Sequence, residues 1–146
     1  MRWLRTWWGM ILTGLVVILV LLQFVRFFVP AFKLDNPPVT NAVQWDSAQT
    51  QQTWATTCGD CHSNETRYPW YSYVAPVGWL VAVDVHEGRQ YLNISTGHRV
   101  ELHEMLETIQ EGEMPPQQYF VTHPNAKLTA DQRQAFIEGL RATFGK

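Results

Sequence analysis

Two things are scarce in this sequence: cysteine, and charge near its start. The 146 residues include only two cysteines, Cys58 and Cys61, so a disulfide scaffold and a four-cysteine zinc site are both excluded. From Thr6 to Val25 no residue is charged, and most of that segment is aliphatic. No internal repeat or low-complexity tract is present, which excludes a repeat array.

The two cysteines belong to one short motif, Cys58-Gly59-Asp60-Cys61-His62. Two thiols separated by two residues can add to the two vinyl groups of one porphyrin. A histidine directly after the second thiol can bind the iron from the proximal side. The motif therefore predicts one covalently attached haem c, with His62 as a metal ligand.

Two other interpretations of the motif are weaker. A zinc site needs further ligands at matching spacing, and the other histidines form no paired pattern. A redox Cys-x-x-Cys site needs a strand-to-helix context and no histidine after it. The remaining histidines are His86, His98, His103 and His123.

The uncharged N-terminal segment is long enough for a membrane span, which takes about 20 residues. Aromatic residues cluster at both of its ends, where membrane interfaces would lie. A cleaved signal peptide is disfavoured by the length of the apolar stretch and by the bulky residues 27–32. We expect a cytoplasmic N-terminus and signal anchor over residues 1–29, a proline-rich tether over 30–42 and a monohaem domain over 43–146. The flanking aromatics are Trp3, Trp7, Trp8, Phe24, Phe27 and Phe28.

The motif also predicts the orientation of the span. Covalent haem attachment of this kind takes place on the outer side of the bacterial inner membrane, which would place Cys58 there. Arg2 and Arg5, which precede the span, modestly favour the same orientation, with the N-terminus in the cytoplasm. We expect a single-pass protein of the inner membrane with its haem domain on the periplasmic side.

The rest of the chain has the pattern of an all-α domain. Caps, apolar spacing and proline positions predict four helices. In the helix from Val77 to Tyr91, the residues expected to face inward are Trp79, Leu80, Val83 and Tyr91. The next helix carries Met105 on its apolar stripe. The helices run from Asp46 or Ser47 to Thr57, from Val77 to Tyr91, from Arg99 to Gln110, and onward from Thr129.

A second axial ligand is predicted at Met114. Residues 112–116, Gly-Glu-Met-Pro-Pro, form a loop in which Pro115 and its neighbour would hold a thioether toward iron, and methionine ligation raises the potential. Met105 is expected in the core. A histidine, His123 above all, or an open sixth site are the alternatives.

An aromatic loop follows the motif, and some of its rings are predicted to wall the haem. The candidates are Tyr68, Trp70, Tyr71 and, on the next helix, Trp79, with ordinary aromatic core as the alternative. Arg89 is a candidate ion-pair partner for a haem propionate, although a solvated surface arginine explains it equally well.

The soluble part is acidic. Of the 11 basic residues 7 follow Lys33, together with all 13 acidic residues, so this part carries 7 − 13 = −6 charges. A cluster of glutamates before Met114 is either a solvated face or a docking surface for a basic redox partner protein. We expect no nucleic-acid partner. The cluster consists of Glu101, Glu104, Glu107, Glu111 and Glu113.

Several separate motifs, in order, resemble the small bacterial haem-binding domain family, over roughly residues 43–142. Its members often carry one membrane helix followed by a cytochrome-c-like domain. The resemblance implies haem binding, that fold, and Met114 as a ligand. The matching segments are residues 58–66, 68–71, 75–76, 84–85, 88–89, 92–95 and 112–116, followed by 123–124, 126 and 128.

Together these features predict a membrane-anchored c-type cytochrome that carries single electrons at the periplasmic face. It would act as a subunit of, or exchange electrons with, a respiratory or photosynthetic complex. With His62 and Met114 both on the iron no site remains for substrate chemistry, so we expect a carrier and not an enzyme. The alternatives are a haem gas sensor or peroxidase-like enzyme with an open distal site, and a structural subunit whose haem serves folding and assembly.

Overall fold

The structure is a computed structural model that describes residues 2–97 and 100–145. The described residues form seven α-helices and four short 3-10 helices, with no strand among them, so the predicted all-α class is confirmed. The α-helices are α1 (Arg2–Val25), α2 (Ala48–Thr57), α3 (Gly59–His62), α4 (Val77–Tyr91), α5 (Leu102–Glu111), α6 (Tyr119–Thr122) and α7 (Ala130–Phe144).

The chain forms two compact units. The first contains the N-terminal residues as far as Asp35 and residues 68–86. The second contains residues 36–67 and the chain from Glu87 onward. Helix α4 begins in the first unit and ends in the second.

Helix α1 is one continuous apolar helix. Its segment Trp7–Val25 has a mean hydropathy of 2.4, and none of it is buried inside the chain. At 1.5 Å per residue it is roughly 28 Å long, about the thickness of the hydrocarbon layer of a bilayer. The helix is therefore long and apolar enough to cross a membrane.

In the first unit, α4 starts where the chain folds back against itself. A side chain at Gly78 would collide with the backbone of Ser72, so this close approach depends on glycine. The small residues of α4 are the buried ones, and Leu80 is 67% exposed. The expectation that Leu80 faces inward was wrong, because it follows Gly78 by two residues, which places it about 200° around the helix from the packed side.

The core of the second unit lies between α2, α5 and α7. Met105 is 8% exposed on the predicted apolar stripe of α5, and Gly112 ends that helix with a φ of 78°. The predicted first residue, Arg99, lies outside the described residues. Tyr91 at the end of α4 is 88% exposed and not inward as expected, because it lies about two and a half turns after the buried Ala82, on the opposite side of the helix. The buried core consists of Trp54, Ile94, Met105, Leu106, Ile109, Phe136, Ile137 and Leu140.

The helix starts follow the predicted caps. The Ser47 hydroxyl accepts a hydrogen bond from the Thr50 N–H at 3.2 Å, and Thr129 with Gln132 forms a capping box at α7. Gly139 of α7 lies against the Thr50 side chain, where any Cβ would collide. This contact fixes α2, which leads directly into Cys58.

Candidate haem site

The two thiols lie on one helical turn. The N–H groups of Cys61 and His62 donate to the carbonyl of Cys58 at 3.1 and 2.9 Å, and α3 consists of the four residues that follow Cys58. Residues three apart lie on neighbouring positions of a helix surface. Both cysteines are half-buried and neither forms a disulfide, so neither sulfur is covalently committed within the chain.

The environment of Cys58 disfavours thiol–disulfide chemistry. Burial raises the pKa of the Cys58 thiol to about 12, although a hydrogen bond with Thr57 acts in the other direction. The thiolate is the nucleophile in disulfide exchange, and it is rare at neutral pH when the pKa is that high. The redox Cys-x-x-Cys interpretation therefore has no support in the surroundings of Cys58.

His62 is held in the protonation state that iron requires. Its Nδ1 lies 3.0 Å from the Gly88 carbonyl oxygen and 3.1 Å from that of Leu92. Both partners only accept, so Nδ1 carries the proton and Nε2 keeps its lone pair. Burial lowers the pKa of His62, partly offset by these hydrogen bonds, and the ring stays uncharged at neutral pH. The residues present thus fit a haem iron bound at Nε2.

Gly88 lies in one of the segments that resemble the family, but sequence reasoning gave it no role at the site. A Cβ at this position would lie 2.7 Å from the Cys61 carbonyl oxygen and 3.0 Å from the Cys61 Cβ. The backbone of α4 can approach the motif only because position 88 has no side chain. A glycine inside a predicted helix was the available signal, since it usually marks a packing requirement.

Arg89 braces the loop after the motif. Its Nε donates to the Ser63 carbonyl at 2.8 Å, and its Nη2 donates to Asn36 Oδ1 at 2.7 Å and Thr66 Oγ1 at 2.8 Å. These bonds keep the segment after His62 close to the start of the second unit. The predicted contact with a propionate stays a prediction.

A buried polar network continues this bracing, and sequence reasoning did not find it. Asn93 Nδ2 donates to Asn64 Oδ1 at 2.8 Å, and the Asn64 N–H donates to Ser95 Oγ at 3.0 Å. Asn64 Nδ2 also reaches the Pro38 carbonyl at 3.0 Å. The three polar side chains are 3–6% exposed. Buried amides of this kind are stable only when fully paired, so the network specifies one conformation for the loop.

Asp60 connects α3 to α6, a helical turn that was not predicted. The Tyr119 hydroxyl donates to Asp60 Oδ2 at 3.1 Å, and Asp60 Oδ1 accepts from the Arg67 N–H at 3.0 Å. Burial, and then the charge of Asp60, raise the pKa of Tyr119 far above its ordinary value. The phenol therefore stays a donor at any physiological pH.

Met114 lies in a loop fixed by its backbone. The N–H groups of Glu113 and Met114 both donate to the Thr108 carbonyl, at 3.0 and 3.3 Å, and the Met114–Pro115 peptide bond is cis. The Met114 side chain is 41% exposed, whereas that of Met105 is 8% exposed in the core. Met105 thus packs as expected, and the ligand role of Met114 stays a prediction.

The histidines considered as alternatives have other surroundings. The His123 ring stacks on Tyr119 with centroids 4.0 Å apart, and His103 lies 3.6 Å from Glu107 on an exposed surface. His86 is exposed, and His98 lies outside the described residues. Among the residues that the structure describes, no group of three or more His, Cys, Asp or Glu side chains could hold a metal ion directly.

The four predicted haem-wall aromatics belong to the first unit. The Tyr68 hydroxyl donates to the Asp35 carbonyl at 3.1 Å, and Trp79 stacks on Phe32. Tyr71 is half-buried, and Trp70 is 78% exposed. Contact of these rings with the cofactor stays a prediction.

A cavity of about 320 Å³ lies in the second unit next to the motif. Gly59 and Asp60 line it, whereas the two thiols and His62 do not. The buried Trp54 indole N–H, on the same cavity wall, has no hydrogen-bond partner. This cavity is therefore separate from the predicted ligands.

Comparison with known proteins gives one match. A family model described as haem-binding domain matches residues 17–142. No curated protein and no solved structure matches the chain.

Proposed function

This chain belongs to the haem-binding domain family, and from that premise we propose that it is a membrane-anchored c-type cytochrome. It would hold one haem c through Cys58 and Cys61, with His62 and Met114 on the iron. It would carry single electrons on the periplasmic side of the bacterial inner membrane. The proposed fold around the cofactor is cytochrome-c-like.

The observation that carries this proposal is the geometry of the motif. Two unbridged thiols share one helical turn, and the adjacent His62 directs Nδ1 to two carbonyls so that Nε2 remains for iron. A purely structural role for His62 would leave the two neighbouring thiols at this spacing unexplained. A zinc site would need more ligands than the motif offers. A disulfide-exchange site would need a more reactive thiol than Cys58.

Haem c supplies a one-electron couple when it is bound. The chain's own contribution is to hold that couple in one geometry. The carbonyls of Gly88 and Leu92 orient the His62 ring and increase its basicity, while Arg89 and the asparagine network keep the following loop from moving. A site that changes little between oxidation states suits a carrier.

Two features support the proposed location and partner. Helix α1 has the length and hydropathy of a membrane span and no buried segment inside the chain. Glu104, Glu107 and Glu111 lie on one exposed side of α5, the helix that leads to Met114. We propose that this side docks a basic redox protein, within or next to a larger membrane complex.

Covalent attachment is tested by extraction. Haem should stay on the polypeptide in acidified acetone, because thioether bonds survive conditions that remove non-covalent haem. Cys61→Ala should leave a single thioether and shift the reduced absorption band to longer wavelength, as expected for one unsaturated vinyl group. Full extraction of haem from the parent chain would contradict haem c attachment while leaving haem binding intact.

The sixth ligand is tested by a matched pair of methionine variants. Met114→Leu should lose the weak absorption band near 700 nm and lower the potential by on the order of 0.1 V, part of the roughly 0.8 V that axial ligands span. Met105→Leu, a volume-conserving change in the core, should alter neither. An unchanged band and potential in Met114→Leu would exclude Met114.

A haem sensor or peroxidase-like enzyme with an open or displaceable sixth site is the second candidate. Carbon monoxide binding by the ferrous protein at neutral pH, with a high-spin ferric spectrum, would support this candidate over the carrier.

A further inference from the structure

The first unit contains a marker of membrane depth. Gln23, two residues before the end of the apolar segment of α1, accepts a hydrogen bond at Oε1 from the Ala75 N–H at 2.9 Å. Two residues of helix correspond to about 3 Å along the axis. The backbone at Ala75 therefore lies within the reach of one glutamine side chain from the end of the apolar segment.

Aromatic contacts hold the two segments together around this point. The Arg26 guanidinium lies 5.1 Å from the Phe27 ring centroid and 6.0 Å from that of Tyr73. Phe32 and Trp79 stack with centroids 5.2 Å apart and an interplanar angle of 5°. Residues that follow α1 and residues 70–79 thus form one aromatic layer within the first unit.

Large apolar side chains of this layer face outward. We name them the 70–80 patch; they are 45–78% exposed, although the backbone between them is packed. No residue between Arg67 and Asp84 is charged. A soluble surface rarely presents so many adjacent apolar groups without a binding role. The patch consists of Trp70, Tyr73, Val74, Val77 and Leu80.

We propose that the 70–80 patch is a second membrane contact, inserted at the boundary between lipid headgroups and acyl chains on the side where α1 leaves the bilayer. This rests on the proposed membrane span of α1. Tryptophan and tyrosine prefer that boundary, the segment lacks charge, and the bond to Gln23 sets its depth. Trp70, predicted from the sequence as a haem wall, is assigned here to lipid.

Lipid explains the patch better than a protein partner does. A protein docking site normally carries a polar or charged rim that sets its orientation, and residues 68–83 contain no charged side chain. Arg26, which lies beside the patch residue Tyr73, directly follows α1, where a basic side chain suits the lipid headgroups. Further apolar rings of the first unit are exposed at and just after the end of α1, since Phe24, Phe27 and Phe28 are 55–83% exposed. Phe27 and the patch residue Tyr73 both lie beside the Arg26 guanidinium, so these rings and the patch meet there.

The test measures the depth of single spin labels in the full haem-loaded chain. The chain is reconstituted in vesicles of phosphatidylethanolamine and phosphatidylglycerol, and accessibility to oxygen is compared with accessibility to a water-soluble nickel chelate. Labels at Val77→Cys and Leu80→Cys should favour oxygen several-fold over the label at Val121→Cys. Val121, a valine of the second unit that is 82% exposed, is the matched control. The parent chain, treated with the same spin label, measures any background labelling of Cys58 and Cys61.

A fourth label, at Leu15→Cys within α1, separates the two hypotheses. If Leu15 is lipid-like but Val77 and Leu80 match Val121, the patch proposal is wrong and the membrane anchor stands. If Leu15 is itself water-accessible, the anchor is wrong and the patch proposal fails with it. Labels at 77 and 80 shielded from both reagents would mean that a protein covers the patch, which also overturns the lipid assignment.

Discussion

At the scale of single residues, the orientation of His62 depends on position 88 as much as on the motif itself. The Gly88 carbonyl accepts from His62 Nδ1, and the missing side chain lets the same backbone approach Cys61. Gly88 thus affects His62 both through its carbonyl oxygen and through its lack of a side chain. Its role is positional, because it orients a group that would bind the iron.

Gly88→Ala should destabilise the chain by about 1–3 kcal/mol, the usual cost of overpacking. The added methyl meets a backbone oxygen at 2.7 Å, and this outweighs the roughly 0.5–1 kcal/mol that alanine gains over glycine in a helix. The unfolding midpoint of the haem-loaded protein, followed by circular dichroism in detergent, should fall by several degrees. The absorption spectrum should change as the His62 ring tilts.

Gly59→Ala is the matched control, inside the motif itself. Its Cβ would be in ordinary contact with Trp54, with the nearest atom 3.5 Å away. We expect unchanged or slightly higher stability and an unaltered spectrum. Equal destabilisation by the two variants would show that close packing at Gly88 is not the cause.

At the scale of secondary-structure elements, the single turn α6 is held to α3 by one side-chain hydrogen bond. The Tyr119 hydroxyl donates a hydrogen bond to the carboxylate of Asp60, which is a buried residue. Hydrogen bonds to charged groups contribute about 1.5–3 kcal/mol, more than neutral ones. This bond therefore helps to keep α3, and with it both thiols, in place.

Tyr119→Phe should lower the free energy of unfolding by about 1–3 kcal/mol, because it leaves a buried carboxylate oxygen without its donor. Stacking on His123 is retained by the phenylalanine ring. Tyr91→Phe, at an 88% exposed position, should have no measurable effect. Thermal unfolding of the three haem-loaded proteins measures the difference, and an unaffected Tyr119→Phe would mean that water replaces the phenol.

At the scale of the whole molecule, charge is unevenly distributed along the chain. The long apolar helix lacks charge between Thr6 and Val25, whereas the chain after Lys33 carries 7 − 13 = −6 charges. The exposed glutamates of α5 lie three and four residues apart on one side. A surface of this sign attracts cationic proteins over distances limited by the ionic strength.

Neutralising Glu104, Glu107 and Glu111 together as glutamines should slow electron exchange with a cationic soluble cytochrome by roughly tenfold at low salt. The difference from the parent chain should disappear as the ionic strength rises. Stopped-flow measurement of the second-order rate at several salt concentrations provides the data.

The control neutralises three exposed acids elsewhere, and has the same net charge. If docking depends on α5, this variant should keep most of the parent rate. Equal slowing in both triple variants would mean that only net charge matters and that α5 is an ordinary solvated face. The control positions are Glu65, Glu87 and Glu138.

The sequence by itself determined the all-α class, the starts of α2 and α7, and the family of the chain. The caps at Ser47 and Thr129 and the apolar stripe of α5 depend on residues three or four apart, so local pattern is sufficient to find them. The motif Cys58 to His62 is equally local, and its family was confirmed.

Only the tertiary structure decided which groups surround that motif. The Nδ1 atom of His62 is hydrogen-bonded to the carbonyls of Gly88 and Leu92, which lie 26 and 30 residues further along the chain. Arg89 stabilises a loop that precedes it in the sequence. Leu80 faces outward. These outcomes depend on how closely distant backbones approach, at Gly88 and at Gly78. Such approaches are set by three-dimensional packing, and the spacing of residues along one helix carries no information about them.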